Sequence, residues 1–227
     1  MHISFQDFKQ IFVQIANQIE QQKEYLSELD RALGDGDHGI SMSLGWKAVV
    51  AKLETLELGD CGSMCKEMAL SFLNAVGASV GPLYATAFLR GSAVLQGKSV
   101  LTKDDVVGFW VAAVGGILER GNAQIGDKTM IDTWLPAIEG MKTACEAGKE
   151  LDECLQQAVL AGEQGMKSTK DLQAKKGRSS KLGERALGHQ DPGATSAYLI
   201  LSTFYACVKS LKETGRIVPP DSDRHLA

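Results

Sequence analysis

The chain has 227 residues, of which 44 % are apolar, with 24 basic side chains against 28 acidic ones and a formal net charge of −4. That length and apolar share suit one sizeable core, and the well-mixed charge excludes a basic nucleic-acid groove or a polybasic membrane face. The five scattered cysteines form no Cys-x-x-Cys pair, no basic-then-apolar leader opens the chain, and no apolar run reaches the roughly 18 residues a membrane span needs, so buried thiols in a cytoplasmic protein are expected.

Apolar residues recur at helical spacing from the start. Phe5, Phe8, Ile11, Phe12, Ile15, Ile19 and then Leu26 predict one long helix, opened by Ser4 and Asp7 in a variant of the capping box and delivering the chain to Asp30. The segment 30–40 then sets Asp30, Asp35, Asp37 and His38 among Gly34, Gly36 and Gly39. Carboxylates this dense repel one another unless something positive sits between them, and hard oxygen donors without a nearby cysteine point to magnesium or calcium rather than zinc. The bland alternative is an acidic surface turn. An EF-hand loop fits poorly, because the Gly and Glu positions of that loop are not filled.

A second helix is predicted from about 40 to 56 and a third from about 62 to 76. The turn 77–82 follows, and a fourth helix runs from Leu83 to Leu95. Thr102 and Asp105 cap a fifth helix that ends at Gly121, and after Gly126-Asp127-Lys128 a sixth runs through Met130 to Cys145. Pro136 is tolerated only in a first turn, so that helix either begins near Trp134 or bends. A seventh runs from Leu151 toward Met166. The basic run Lys167–Arg185 lacks aromatic residues and reads as a solvated helix end. The eighth helix follows Asp191-Pro192-Gly193 and stops at Gly215. The expected fold is all-α, a single-domain antiparallel barrel or bundle of about eight helices over residues 1–227.

The punctuation predicts where function sits. Loops 30–39, 77–82, 121–129 and 177–193 are rich in glycine and small polar residues, and the other connections are not. If eight helices alternate in direction, those four loops share one end. Ser79, the amide of Val80, Gly121, Thr129 and Arg178 then become donors for a polyphosphate, with divalent ions on the three Asp residues. For each there is a plainer role: Ser79 and Thr129 as helix caps, Arg178 as a solvated side chain. His38 suits phosphate contact, base or metal ligand, with phosphate contact favoured at a helix start. In His189-Gln190-Asp191 the Asp can equally cap the last helix, and the terminal His2 and His225 carry no role. No P-loop motif and no βαβ setting is present, so a nucleotide site here has to be built on helices.

The stretches Gly34-Asp35-Gly36-Asp37-His38-Gly39, Gly81-Pro82-Leu83-Tyr84, Gly126-Asp127-Lys128-Thr129-Met130-x-Asp132, Gly177-Arg178, Lys181-Leu182-Gly183-Glu184-Arg185 and Gly188-His189-x-Asp191-Pro192-Gly193-Ala194 are together similar to the nucleotide-binding L subunit of dihydroxyacetone kinase. The resemblance spans nearly the whole chain. It implies an eight-helix barrel holding ADP or ATP through two magnesium ions, with Asp30, Asp35 and Asp37 as ligands. It also implies that His38, Gly39, Ile40, Ser41, Ser79, Val80, Gly121, Met130, Arg178, Asp191, Pro192 and Gly193 surround the nucleotide. The implied partners are a K subunit that carries the ketose covalently on a histidine and an M subunit that rephosphorylates ADP from phosphohistidine; a homodimer is also allowed. Ser41 and Val80 depart from the usual pattern, which loosens the substrate between dihydroxyacetone and another small ketose such as erythrulose. An ATP-dependent kinase component and, in a different class, a helical metal-binding regulatory protein remain as alternatives.

Overall fold

The computed structural model describes residues 1–57 and 59–216; Pro219, Pro220 and His225 lie outside the described residues. Among these residues nine α-helices follow in order: α1 Phe5–Gln21, α2 Lys23–Leu33, α3 His38–Glu54, α4 Cys61–Ala75, α5 Val80–Val94, α6 Lys103–Gly121, α7 Ile131–Glu146, α8 Leu151–Ser168 and α9 Pro192–Thr214. Two 3-10 segments, Thr169–Asp171 and Arg178–Ala186, lie between α8 and α9. No helix among the described residues is long and apolar enough to cross a membrane.

Eight of the helices close a ring. Each of α3 to α9 packs on the next, and α1 joins α9 back to α3, which makes the expected barrel. Its interior is filled with aromatic rings that bury large apolar area and meet mostly edge to face. Phe12 stands at the centre, with ring centroids of Phe8, Trp46, Phe88, Phe109 and Phe204 between 4.9 and 6.4 Å away. Trp110 and Trp134 stack at 5.2 Å and carry the cluster across to α7.

The long first helix of the sequence reading is two helices. The polar run Glu20 to Glu24 interrupts the apolar stripe, and Gln22 leaves helical geometry at φ −95°, ψ 7°. The Gln22 N–H still donates to the Gln18 carbonyl at 3.0 Å and Leu26 N–H to the Gln22 carbonyl at 2.9 Å, so the chain bends without reversing. Helix α2 is a bent continuation of α1, and the alternation of direction survives. A further departure is a pair of two-residue strands, β1 Ile3–Ser4 antiparallel to β2 Val100–Leu101, which ties the N terminus to the α5–α6 connection.

Both capping boxes form as read, Ser4 with Asp7 and Thr102 with Asp105, and Asp191 caps α9 by accepting from Ala194 N–H at 2.7 Å. Helix α6 does end at Gly121, but Asn122 rather than a glycine takes the left-handed position after it, at φ 46°. Helix α5 begins at Val80, earlier than expected, because Pro82 is tolerated in a first turn. All five cysteines are free, and four are buried.

Pro136 lies inside α7, which begins at Ile131. With no N–H it cannot bond the Asp132 carbonyl, and α8 moves in against that exposed oxygen. A Cβ at Gly165 would stand 1.8 Å from the Asp132 carbonyl oxygen. Gly165→Ala is therefore expected to cost about 1–3 kcal/mol in urea unfolding, by forcing α8 off α7; an unchanged midpoint would show that the two helices have room to spare.

Candidate functional site

The loops before α3, α5, α7 and α9 meet at one end of the barrel around a cavity of about 570 Å³. Four helix N termini, the positive ends of their dipoles, therefore converge on one space, which favours an anion there. The volume is in the ordinary range for a small-molecule site.

The acidic side is built by α2 and the loop into α3. Asp30 sits in the last turn of α2 and fixes the next segment by accepting the His38 N–H at 3.1 Å. Asp35 and Asp37 follow on the glycine turn, and the three carboxylates place oxygens within 4.8 Å of one another. Burial and the Asp30 charge push the Asp37 carboxyl above its ordinary value. The Arg178 guanidinium reaches across from the α8–α9 connection to pair with both Asp35 and Asp37, at 3.2 Å from the latter. A cation thus already stands among these carboxylates, and their hard oxygens, partly open to water, fit a magnesium ion that keeps part of its shell for phosphate oxygens.

His38 is half-buried, and desolvation lowers its ring to about 4 against the pull of Asp30, so it is neutral near pH 7. Its Nε2 meets Ser196 Oγ at 2.9 Å. Ser196 Oγ also lies 3.0 Å from the Gly193 carbonyl, so this hydroxyl bridges His38 to the first turn of α9.

Of the residues singled out in the sequence, Asp30, Asp37, His38, Ser41, Ser79, Val80, Gly121, Thr129, Met130, Arg178, Asp191, Pro192 and Gly193 line the cavity, and Asp35 joins at its rim through the carboxylate cluster. Two do not line it. Ile40 turns outward, 48 % exposed. Gly39 is a packing residue, since a Cβ there would lie 2.0 Å from the Lys23 carbonyl oxygen where α3 crosses the start of α2. Ser79 makes no capping bond, whereas Thr129 Oγ1 does accept the Ile131 N–H at 3.2 Å. The basic run divides: Lys167 at the end of α8 and Lys170, Lys175, Lys181 and Arg185 beyond it are exposed, while Lys176, Gly177, Arg178 and Ser179 form part of the wall.

Leu83, Ile117 and Ile131 were not singled out. They add apolar wall from α5, α6 and α7, where Arg120 of α6 also lines the cavity. Nothing in helical periodicity separates such wall residues from core.

Lys128 and Asp132 were quoted only as part of a motif, and both prove to be buried scaffold. The Asp132 carboxylate accepts Gly126 N–H at 2.6 Å and Thr129 N–H at 2.7 Å, fixing the turn in which Lys128 takes φ 60°. Lys128 Nζ donates to the carbonyls of Thr169, Ala186 and His189 at 2.5, 2.9 and 2.5 Å. Burial lowers its pKa, and Asp191, Asp171 and Asp132 oppose that shift. The paired carboxylates in one short motif were the available signal.

A family model described as the DAK2 domain matches residues 32–206. The chain belongs to the DAK2 domain family. It is 38 % identical over 188 residues to the Escherichia coli (strain K12) protein named PEP-dependent dihydroxyacetone kinase, ADP-binding subunit DhaL, covering 83 % of this chain and 90 % of that one. A Listeria innocua protein, PEP-dependent dihydroxyacetone kinase 2, ADP-binding subunit DhaL, is 36 % identical over 193 residues, covering 84 % and 89 %. The C. freundii dihydroxyacetone kinase, solved in complex with AMP-PNP and Mg2+, shares the fold with a TM-score of 0.64 at 20 % identity. The match covers 86 % of this chain and 32 % of that kinase, so this chain spans about a third of its length. Within this DAK2 chain the matched segment begins just after Asp30, and the helix that carries Asp30 packs chiefly on α3, with α9 and the Arg178–Ala186 segment beside it.

Asp191 supplies a pH test of the site. It is buried, and desolvation, with the charges of Asp132 and Asp30, raises its carboxyl to about 7 despite the Ala194 N–H and Lys128. A folded pKa above the unfolded one means that this group's stabilising contribution is complete below about pH 4 and is lost as pH rises through 7. Asp191→Asn, measured in EDTA, should therefore gain on the wild type in thermal stability between pH 5 and pH 8. A stability difference that stays constant over that window would show that Asp191 ionises normally.

Proposed function

We propose that this chain is the ADP-binding subunit of a phosphoenolpyruvate-dependent dihydroxyacetone kinase. The observation that carries the reading is the single cavity on which three clustered carboxylates, Arg178 and four helix N termini converge. The names of the relatives that match along nearly their whole length support the subunit form. An ATP-dependent kinase of the C. freundii kind carries the matching region as a minor part of a much longer chain, which makes it the weaker alternative.

In this reading Asp30, Asp35 and Asp37 hold two magnesium ions, which supply charge neutralisation to the phosphates of ADP or ATP. The N-terminal amides of α3, α5 and α9 face phosphate oxygens, with Ser41, Ser79 and Thr129 as hydroxyl donors, and Val80, Leu83, Ile117 and Met130 enclose the base. Arg178 is the positive side chain at the carboxylate cluster, placed where it can turn from Asp35 and Asp37 to the transferring phosphoryl group. Neutral His38 ties the start of α3 to α9 through Ser196. A K subunit presents the small ketose, dihydroxyacetone or a relative, and contributes the base, while an M subunit with phosphohistidine recharges ADP in place.

Asp30→Asn, Asp35→Asn and Asp37→Asn should each weaken Mg-dependent ADP binding in calorimetric titration by more than tenfold while leaving the helical circular dichroism intact. Affinity untouched in all three would remove the metal reading. Arg178→Ala should lower the phosphoryl-transfer rate by about 10²-fold with a much smaller effect on ADP affinity; equal losses in both would make Arg178 a ground-state binding residue.

A further inference from the structure

The connection from residue 169 to residue 191 carries Arg178 and Asp191 to the cavity, yet it has little of its own to hold it in place. It consists of 3-10 turns and coil, and Lys170, Lys175, Lys181 and Arg185 on it are exposed. Its apolar anchorage is small: Ala174 and Ala186 pack on Leu33 with half-buried Leu182 beside them. Backbone order of this length, with so little burial, requires another source of free energy.

That source is one ammonium group. Lys128 is 1 % exposed, and an ammonium has three protons to give. All three go to carbonyls of this segment: Thr169 at its start, Ala186 and His189 near its end. Around this tripod the Lys175 N–H bonds the Asp127 carbonyl at 3.0 Å, the Gly188 N–H bonds the Lys170 carbonyl at 2.7 Å, and the Asp191 N–H bonds Thr169 Oγ1 at 3.0 Å. A buried charge is tolerated only when fully hydrogen-bonded, so the segment and the lysine require each other. Because its protons are spent, Lys128 has none to offer a nucleotide, although it lies against the cavity.

We infer that Lys128 is a positioning residue for phosphoryl transfer: by gathering three carbonyls of the 169–191 segment it clamps that segment over the cavity and so sets Arg178 against the carboxylate cluster. The inference rests on the kinase reading for its functional half, and on geometry alone for the clamp.

The test pairs hydrogen–deuterium exchange with kinetics of the complex reconstituted with the ketose-carrying and phosphohistidine subunits. In Lys128→Met, exchange at the amides of Lys175 and Gly188 should rise at least tenfold while α1 and α6 stay protected. The kcat should fall about as far as in Arg178→Ala with the KM for the ketose unchanged, and the double variant Lys128→Met/Arg178→Ala should be within about twofold of Arg178→Ala alone, since a misplaced arginine has nothing left to lose. Unchanged exchange overturns the clamp, and losses that multiply overturn its action through Arg178. Should Lys128→Met not fold, Lys128→Gln, which keeps two donors, is read by the same two criteria. A wild-type protein that takes up no Mg-ADP would sink the kinase reading, and the exchange measurement would still decide the clamp.

Discussion

Three carboxylates, with oxygens within 4.8 Å of one another at the mouth of a helical barrel, set the electrostatic problem that the surrounding fold answers. Such a cluster is stable only beside positive charge, and the fold brings several kinds to it. Arg178 pairs with two of the acids, and the N termini of α3, α5, α7 and α9 point at the same space. None of these alone makes a site, since helix ends and exposed acids are common. Their convergence follows from the parity of an eight-membered ring, in which every second connection comes back to the same end.

That parity was legible in the residues. Glycines and small polar residues mark alternate loops, and apolar spacing of three and four residues marks the helices between them, so the all-α class and the end that holds the cavity could be derived, while the closed barrel came only with the family resemblance. The bend at Gln22 was not, because Ile19 and Leu26 lie two full turns apart and keep the stripe in phase through a break that only backbone angles disclose. The interior position of Pro136 was not legible either. It depends on Gly165, nearly thirty residues on, whose missing Cβ lets α8 close on the freed Asp132 carbonyl.

The candidate site divides along a physical line. Residues whose chemistry is unusual for a loop, such as clustered acids, a lone Arg beside a glycine or an Asp-Pro-Gly at a helix start, could be singled out from their types alone. Those whose role is to hold other backbone in place could not. Gly39 reads as a nucleotide contact, and its missing Cβ also lets α3 cross α2; Lys128 and Asp132 read as motif letters and are the buried supports of the turn and of the segment facing it. A charged side chain used to bind carbonyls forty to sixty residues away leaves no trace in local spacing. In this chain the motifs mix residues of the carboxylate cluster with residues that hold backbone, and the two differ in burial: Lys128 and Asp132 are almost completely enclosed, whereas Asp35 is exposed and Asp30 and Asp37 are partly so.

On the proposed function, the carboxylate cluster is a cation site completed by a nucleotide's phosphates. A crystal structure grown with Mn2+ and ADP, with manganese located by its anomalous scattering, tests it most directly. Manganese is expected among Asp30, Asp35 and Asp37, bridged to the diphosphate, with the Arg178 guanidinium withdrawn from Asp35 and Asp37. Manganese absent from those carboxylates while ADP occupies the cavity, with Arg178 still paired to both acids, would contradict it.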